Sequence, residues 1–297
     1  MSYLKNIPFA KYQASGEDCI IINNINGEFS TFLGDNSAVA VMCHRRFGVG
    51  ADGVLEVRRH EKADFEVIWY NANGHKGTFC GNGTRCVVAY LYDNGIVSMA
   101  DHVTIFACDG IHTGYEDNNK NIFITLEDID AKNIEHIDED ESFINTGSPH
   151  HIRFIKCDSL RNIEFQEHAK SIRYSERYVS DGVNVNFVKV LSERDYLLEM
   201  RTYLRGLEGE TIGCGTGSVA ASICHHMRMR ITDGLRDDVN EAPAKYTVKM
   251  EGGDQNVHFL MKNDADGNTV IVDITLSGEV FKVHNGLFYT SAFKRPS

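Results

Sequence analysis

The stretch FCGNGTRCVVAYLYDNG, residues 79–95, decides how the chain is read. Cys80 stands directly before Gly-Asn-Gly, and an apolar, helix-like run follows to the stop signal Asn94-Gly95. The device returns in GCGTGSVAASIC, residues 213–224, where Cys214 precedes Gly-Thr-Gly-Ser and a second helix-like run. One copy could be chance, but two indicate a duplicated unit. The first turn of a helix leaves N–H groups without intrahelical acceptors, at the positive end of the dipole. Glycines there let a ligand approach the backbone closely. The unit is therefore an anion cradle beside a cysteine, and the same field is expected to lower the thiol pKa.

Two such units acting on one carboxylate-bearing carbon can invert it without a cofactor. One thiolate removes the α-proton and the other thiol returns a proton to the opposite face, while the helix amides stabilise the charge that develops on the carboxylate.

Composition narrows the class. The chain has 297 residues, 42% of them hydrophobic, enough for one large or two ordinary domains. No apolar run approaches bilayer length. The N-terminal MSYLKNIPFAKYQ lacks signal-peptide features, so a cytoplasmic location is expected. A net charge of −12 disfavours a nucleic-acid partner. The eight cysteines form no Cys-x-x-Cys, which argues against a zinc ribbon, a redox motif or a disulfide framework. No metal site is expected. The adjacent His225-His226 pair is read as unable to share a helix face. GVGADG, residues 48–53, fits the dinucleotide-binding spacing, but a helix-like segment precedes it and a strand-like run follows, the reverse of what that motif requires.

Strand-like runs dominate: 19–24, 64–71, 102–108, 121–128, 150–157, 183–190, 195–203, 245–250, 256–261 and 269–278. Helices are expected at 35–46, 82–93, 159–172 and 216–232, the last stopped by Asp233-Gly234. The fold class is α/β. The halves share the order strands, Cys-Gly-x-Gly, helix, strands, with a polar crossing near 127–142.

With these residues in view, the chain resembles the diaminopimelate epimerase family over nearly its whole length. The likeness rests on KYQASGEDCIII (11–22), RRFGVGADGVLEV (45–57), WYNANGHKGTFCGNGTRC (69–86), NTGSPHHI (145–152), GVNVNFVKV (182–190) and YLRGLEGETIGCGTGS (203–218). It implies two pseudo-symmetric domains, each a β-barrel-like mixed sheet around a central helix: 1–128 with 281–297, and 129–280. It makes Cys80 and Cys214 the acid/base pair, and it implies that amides around Gly81, Asn82, Gly215 and Thr216 hold the α-carboxylate. Asn71, Asn184 and Arg205 match positions that grip the far end of the substrate. His150 matches a histidine placed near the first cysteine.

The implied activity is epimerisation of LL-diaminopimelate to the meso form, a precursor of lysine and peptidoglycan, with no cofactor. The expected partner is a small amino acid, with no nucleic acid or membrane and with a homodimer left open. Three positions depart from the family: Glu17 and Ser148 each replace an Asn, and Leu204 replaces the Glu before Arg205. Glu17 is read as a replacement acceptor for the substrate ammonium. The departures keep a racemase or epimerase of another amino acid open, and an inactive amino-acid-binding protein of the same fold is the reading from another class.

Overall fold

The computed structural model describes residues 6–98, 101–232 and 243–290. The first residues of the N-terminal stretch quoted above and the expected stop at Asp233-Gly234 lie outside them. The chain divides into two compact units, one of residues up to Ile124 together with those from Glu279 onward, the other Thr125–Gly278. The sequence reading set these boundaries at 128/129 and 280/281.

In the first unit, Ile7–Ala14 and Glu17–Asn23 form an antiparallel hairpin. Its two-residue turn is Ser15-Gly16, both at positive φ (50° and 81°), the conformation that matches strand twist in tight hairpins. Glu17–Asn23 then pairs in parallel with Gly53–Arg58, which pairs antiparallel with Phe65–Asn71. A parallel step leads to Val103–Ala107 and antiparallel steps to Gly110–Glu116 and then to Ile122–Thr125. Val280–Phe288 covers the free edge of Ile7–Ala14. The helix Gly81–Asp93 touches strands all round this curved sheet and is buried at almost every position.

The second unit repeats the scheme. Glu141–Asn145 is antiparallel to Pro149–Phe154, which is parallel to Asn184–Ser192, itself antiparallel to Leu197–Leu204. Leu197–Leu204 runs parallel to Ala244–Lys249, followed by antiparallel Gln255–Asn263 and Thr269–Gly278. The helix Gly215–Thr232 sits against these strands as Gly81–Asp93 does against the first set. Each cysteine-led helix lies in the crossover between parallel-paired strands, Phe65–Asn71 to Val103–Ala107 in one unit and Leu197–Leu204 to Ala244–Lys249 in the other, where the short strand Gly209–Thr211 precedes it, so the duplication read from two short motifs extends to the order and direction of pairing.

A second, outer layer explains the strands with continuous apolar runs. On CIII, residues 19–22, Cys19 and Ile21 alternate with Ile20 and Ile22, and all four are buried. Ile20 and Ile22 pack with Phe32, Val39, Met42 and Val54 in a cluster under two short helices, Ser30–Leu33 and Asn36–Cys43. The helix expected over 35–46 is Asn36–Cys43, which Asp35 caps by accepting from the Ser37 and Ala38 amides, and the turn of helix Ser30–Leu33 precedes the expected range. The segment expected at 159–172 is a 3₁₀ turn, Leu160–Asn162, and a helix, Phe165–Arg173, packed over Val185, Phe187 and Tyr203.

The glycines of 48–53 serve packing. A Cβ on Gly48 would lie 1.9 Å from the Val41 carbonyl oxygen and 2.6 Å from that of Met42. The chain folds back so tightly on the end of Asn36–Cys43 that only hydrogen fits. Gly48→Ala is expected to cost about 2–4 kcal/mol, as overpacking against immobile backbone does. Urea denaturation would check this, and a loss below about 1 kcal/mol would contradict it.

Candidate active site

Both cysteine turns are built alike. Cys80 is the N-cap of its helix and its Sγ accepts from the Gly83 amide at 3.2 Å. The Thr84 and Ser218 amides each donate to the carbonyl of the cysteine four residues earlier, at 2.9 Å. Their hydroxyls lie against the same carbonyls, at 2.9 and 3.1 Å. This accounts for the final Ser/Thr of Cys-Gly-x-Gly-Ser/Thr: its hydroxyl ties the last residue outside the helix to the first turn. The second glycine is steric in origin, since a Cβ on Gly217 would stand 2.7 Å from Asn186 Oδ1 and 3.0 Å from Cys214 Sγ.

In the first unit the thiol has an acidic neighbour. Cys80 Sγ donates to Glu17 Oε2 at 3.3 Å, and Asn82 Nδ2 donates to the same oxygen at 3.1 Å. Arg85, fully buried one turn on, donates to Asn82 Oδ1 at 2.8 Å and to Ser15 Oγ at 3.2 Å. The sequence reading expected the helix terminus to lower the Cys80 pKa. The Gly83 amide does pull it down, but burial, followed by the Glu17 carboxylate, pushes it well above the usual thiol range. Burial likewise raises Glu17, to about 7, and Asp52 adds to the rise. The Cys80, Asn82 and Arg85 side chains oppose it.

Asn71 is exposed, its Oδ1 accepting from Trp69 Nε1 at 2.9 Å. A cavity of about 150 Å³ within this unit is walled in part by Trp69, Phe79, Cys80, Thr84 and Phe106.

In the second unit Thr216, Thr146, His150 and Asn186 form one buried network. Asn186 Nδ2 lies 3.1 Å from the His151 carbonyl and 3.3 Å from that of Asn184, and its Oδ1 accepts from Thr202 at 2.9 Å. These partners orient the amide, so Nδ2 is the donor to His150 Nδ1 at 3.0 Å. Burial drives His150 down to about 3, so the ring is neutral and its proton sits on Nε2. That N–H donates to Thr216 Oγ1 at 2.9 Å. The Thr216 hydroxyl proton is thereby left to point towards Cys214 Sγ, 3.9 Å away. Thr146 Oγ1 holds the Thr216 carbonyl at 2.9 Å, and the Cys214 amide donates to Met250 Sδ at 3.4 Å.

The resemblance set His150 near the first cysteine; the hydrogen bonds it makes are to Asn186 and to Thr216 in the Cys214 turn.

Ser148, Asn184 and Arg205 also come together. Asn184 Nδ2 donates to Ser148 Oγ at 2.8 Å and its Oδ1 accepts from the Arg205 amide at 2.9 Å, while Arg205 Nη1 reaches the Asp181 carbonyl at 2.8 Å. Leu204 ends its strand opposite Gly209, half-buried. Of the amides assigned to the α-carboxylate, those of Gly81 and Asn82 open the first helix and those of Gly215 and Thr216 the second.

Sequence reasoning gave no role to Asn186, Arg85 or Thr146. The signal for Asn186 was the polar-at-every-second-position pattern Asn184-Val-Asn186 inside an apolar strand, which puts both amides on one face. His225 and His226 both approach the Tyr246 hydroxyl, at 3.0 and 3.4 Å. Tyr246 spans the angle between them from the neighbouring strand.

Two curved sheets, each around a helix that begins at a cysteine, define a fold with known counterparts. A Bacillus anthracis phenazine biosynthesis protein of the PhzF family superposes with TM-score 0.69 at 14% identity, over 96% of this chain and 100% of that one. A hydroxyproline epimerase from Agrobacterium vitis, solved with trans-4-hydroxy-L-proline, gives 0.63 at 13%, over 97% and 94%. At such identities the likeness establishes the fold alone.

Sequence goes further. The family model described as diaminopimelate epimerase matches residues 9–112 and 142–275. A diaminopimelate epimerase of Flavobacterium psychrophilum is 34% identical over 269 residues, 90% of this chain and 94% of its own. The chain belongs to the diaminopimelate epimerase family.

The buried amide network generates a prediction. Asn186→Leu would strand His150 Nδ1, the Thr202 hydroxyl and two carbonyls at once. At about 1–3 kcal/mol for each buried group left unpaired, with partial relaxation, the loss is expected at about 3–5 kcal/mol by urea denaturation. A change within about 1 kcal/mol would show that the network does not orient the ring.

Proposed function

We propose that the protein epimerises an amino acid at its α-carbon with two thiols and no cofactor, and that its substrate is LL-diaminopimelate, converted to the meso form. The observation that carries this reading is the repeated turn, in which a buried helix starts at a cysteine in each half of a duplicated fold. The substrate assignment is supported by family membership and by the curated relatives that carry the name diaminopimelate epimerase.

In this mechanism one thiolate removes the α-proton and the other thiol delivers one to the opposite face. N–H groups of the helix starts hold the α-carboxylate and stabilise its developing charge. Ser148, Asn184 and Arg205 bind the far end of the substrate. The reading requires both thiols to reach one α-carbon, and it places the enzyme in the cytoplasm, where free cysteines stay reduced. Among the described residues no helix is long and apolar enough to cross a membrane.

A second reading, epimerisation of a different amino acid, is favoured by one feature. The Glu17 carboxylate is already engaged by Cys80 and Asn82, while the position before Arg205 offers only Leu204.

The deciding experiment incubates the protein in deuterated buffer with LL-diaminopimelate and a panel of L- and D-amino acids. Deuterium is expected at one α-carbon of diaminopimelate, with inversion. Cys80→Ala and Cys214→Ala should each lower inversion at least a thousandfold, whereas Cys86→Ala, which removes a fully buried thiol, should retain most of it. Inversion at wild-type rate in either of the first two variants would rule out the two-thiol mechanism, and exchange confined to another amino acid would replace the substrate.

A further inference from the structure

Glu17 opens its strand directly after the Ser15-Gly16 turn, which aims the carboxyl at the start of the Gly81–Asp93 helix. We propose that Glu17 is a positioning residue for proton transfer at Cys80 and that it acts in its protonated form, its O–H held on the sulfur whenever Cys80 is a thiolate. The inference rests on the acid–base role given to Cys80 above.

In either direction of an epimerisation Cys80 is a thiolate at one end of the turnover. With Glu17 ionised, that thiolate would face a carboxylate oxygen 3.3 Å away in a part-buried site. The surroundings do not balance two anions. From the helix side the groups are Cys80, Asn82 and Arg85, and from the strand side Ser15, Cys19 and Asp52. Arg85 is the one buried cation touching this cluster among the described residues, and Asp52 is a further acid. The nearby Arg45 is paired with Asp18 and Asp52, and Lys11 with Asp18. One cation stabilises one anion, which is either the thiolate or the carboxylate.

The proton balance follows. When Cys80 gives its proton to the α-carbon, the S–H bond breaks, a C–H bond forms, and the new thiolate accepts from the Glu17 O–H. In the reverse sense the thiolate takes the α-proton and Glu17 keeps its own, so no proton is gained or lost over the cycle. Asn82 Nδ2 donates to Oε2 in both forms.

The other repeat has a donor on the corresponding strand: His150 Nε2–H reaches Thr216, two residues after Cys214, as Glu17 reaches Asn82, two residues after Cys80. Burial sets Glu17 at about 7, so the protonated form exists below about pH 7 and is lost as pH rises through it. The pair with a Cys80 thiolate and a protonated Glu17 holds one proton, as does the pair with a Cys80 thiol and an ionised Glu17, so with Cys80 as the base kcat/KM should rise about tenfold per unit up to about pH 7 and level off above it. The profile is the same in both directions, because their ratio is the equilibrium constant of the reaction.

The test compares Glu17→Gln, which keeps an N–H donor and cannot ionise, with Glu17→Asn, the residue the family places there. Both should lose the break at pH 7 and keep rising with pH, so that at pH 8.5 Glu17→Gln should outrun the wild type about tenfold. A Glu17→Gln variant ten- to a hundredfold slower at every pH would overturn the proposal and make Glu17 an anionic acceptor for the substrate ammonium. A second readout needs no substrate: alkylation of Cys80 by iodoacetamide at pH 8, followed by peptide mass spectrometry. It should be faster in Glu17→Gln than in the wild type, because the thiolate no longer meets a carboxylate. An equal or slower rate would overturn the proposal. A wild type that exchanges no amino-acid α-proton defeats the epimerase reading, while alkylation still decides the role of Glu17.

Discussion

A helix enclosed by a sheet cannot leave its first N–H groups without acceptors, because burying an unpaired donor costs about 1–3 kcal/mol. Here the first turn of Gly81–Asp93 is capped by a sulfur, through the Gly83 amide to Cys80 Sγ, and its neighbouring amides remain suited to an anion. The rest of the architecture follows from that choice. The entrance must be lined with glycine so that backbone, sulfur and ligand can share it. The residue four positions after the cysteine must carry a hydroxyl for the cysteine carbonyl. The strands must curve round the helix so that water does not take the ligand's place. Both repeats meet these demands with the same residue types in the same crossover, and this makes the turn, more than any single strand, the unit that was duplicated.

What was legible in the sequence was what is local. Cys-Gly-x-Gly-Ser/Thr announces a helix start wherever it stands, and alternating runs such as 64–71 and 269–278 announce strands because one face is buried. What was not legible depends on partners far along the chain. Val280–Phe288 is exposed at nearly every position, so nothing in its own pattern marks a strand; it is one because the edge of Ile7–Ala14 pairs with it. The helix Ser30–Leu33 was not legible either, because at four residues it is too short for apolar periodicity to register.

The candidate site divides in the same way. Both cysteines and the Asn184/Arg205 pair could be read from motifs, since each motif holds its chemistry within a few residues. The pKa of Cys80 could not. The helix field that should lower it is written in the motif, but the carboxylate that opposes it lies 63 residues upstream and arrives only through the hairpin turn at Ser15-Gly16. Arg85 was passed over because its spacing on the helix reads as one polar residue in an apolar run, and only the closed sheet shows that its charge is buried.

The two repeats are alike in backbone and unlike in charge. The Cys214 turn is served by neutral groups: a histidine kept uncharged by burial and oriented by the Asn186 amide, and the hydroxyls of Thr146 and Thr216. The Cys80 turn is served by a carboxyl group and a buried guanidinium. In a low-dielectric interior the neutral network keeps one arrangement at any working pH, because none of its members titrates near neutrality. The charged network has two arrangements, separated by one proton on Glu17. Replacing an amide by a carboxyl at that position therefore changes more than a contact. It gives one half of an otherwise symmetric device a protonation state of its own, so the two thiols of this chain cannot be chemically equivalent even though the turns that present them are.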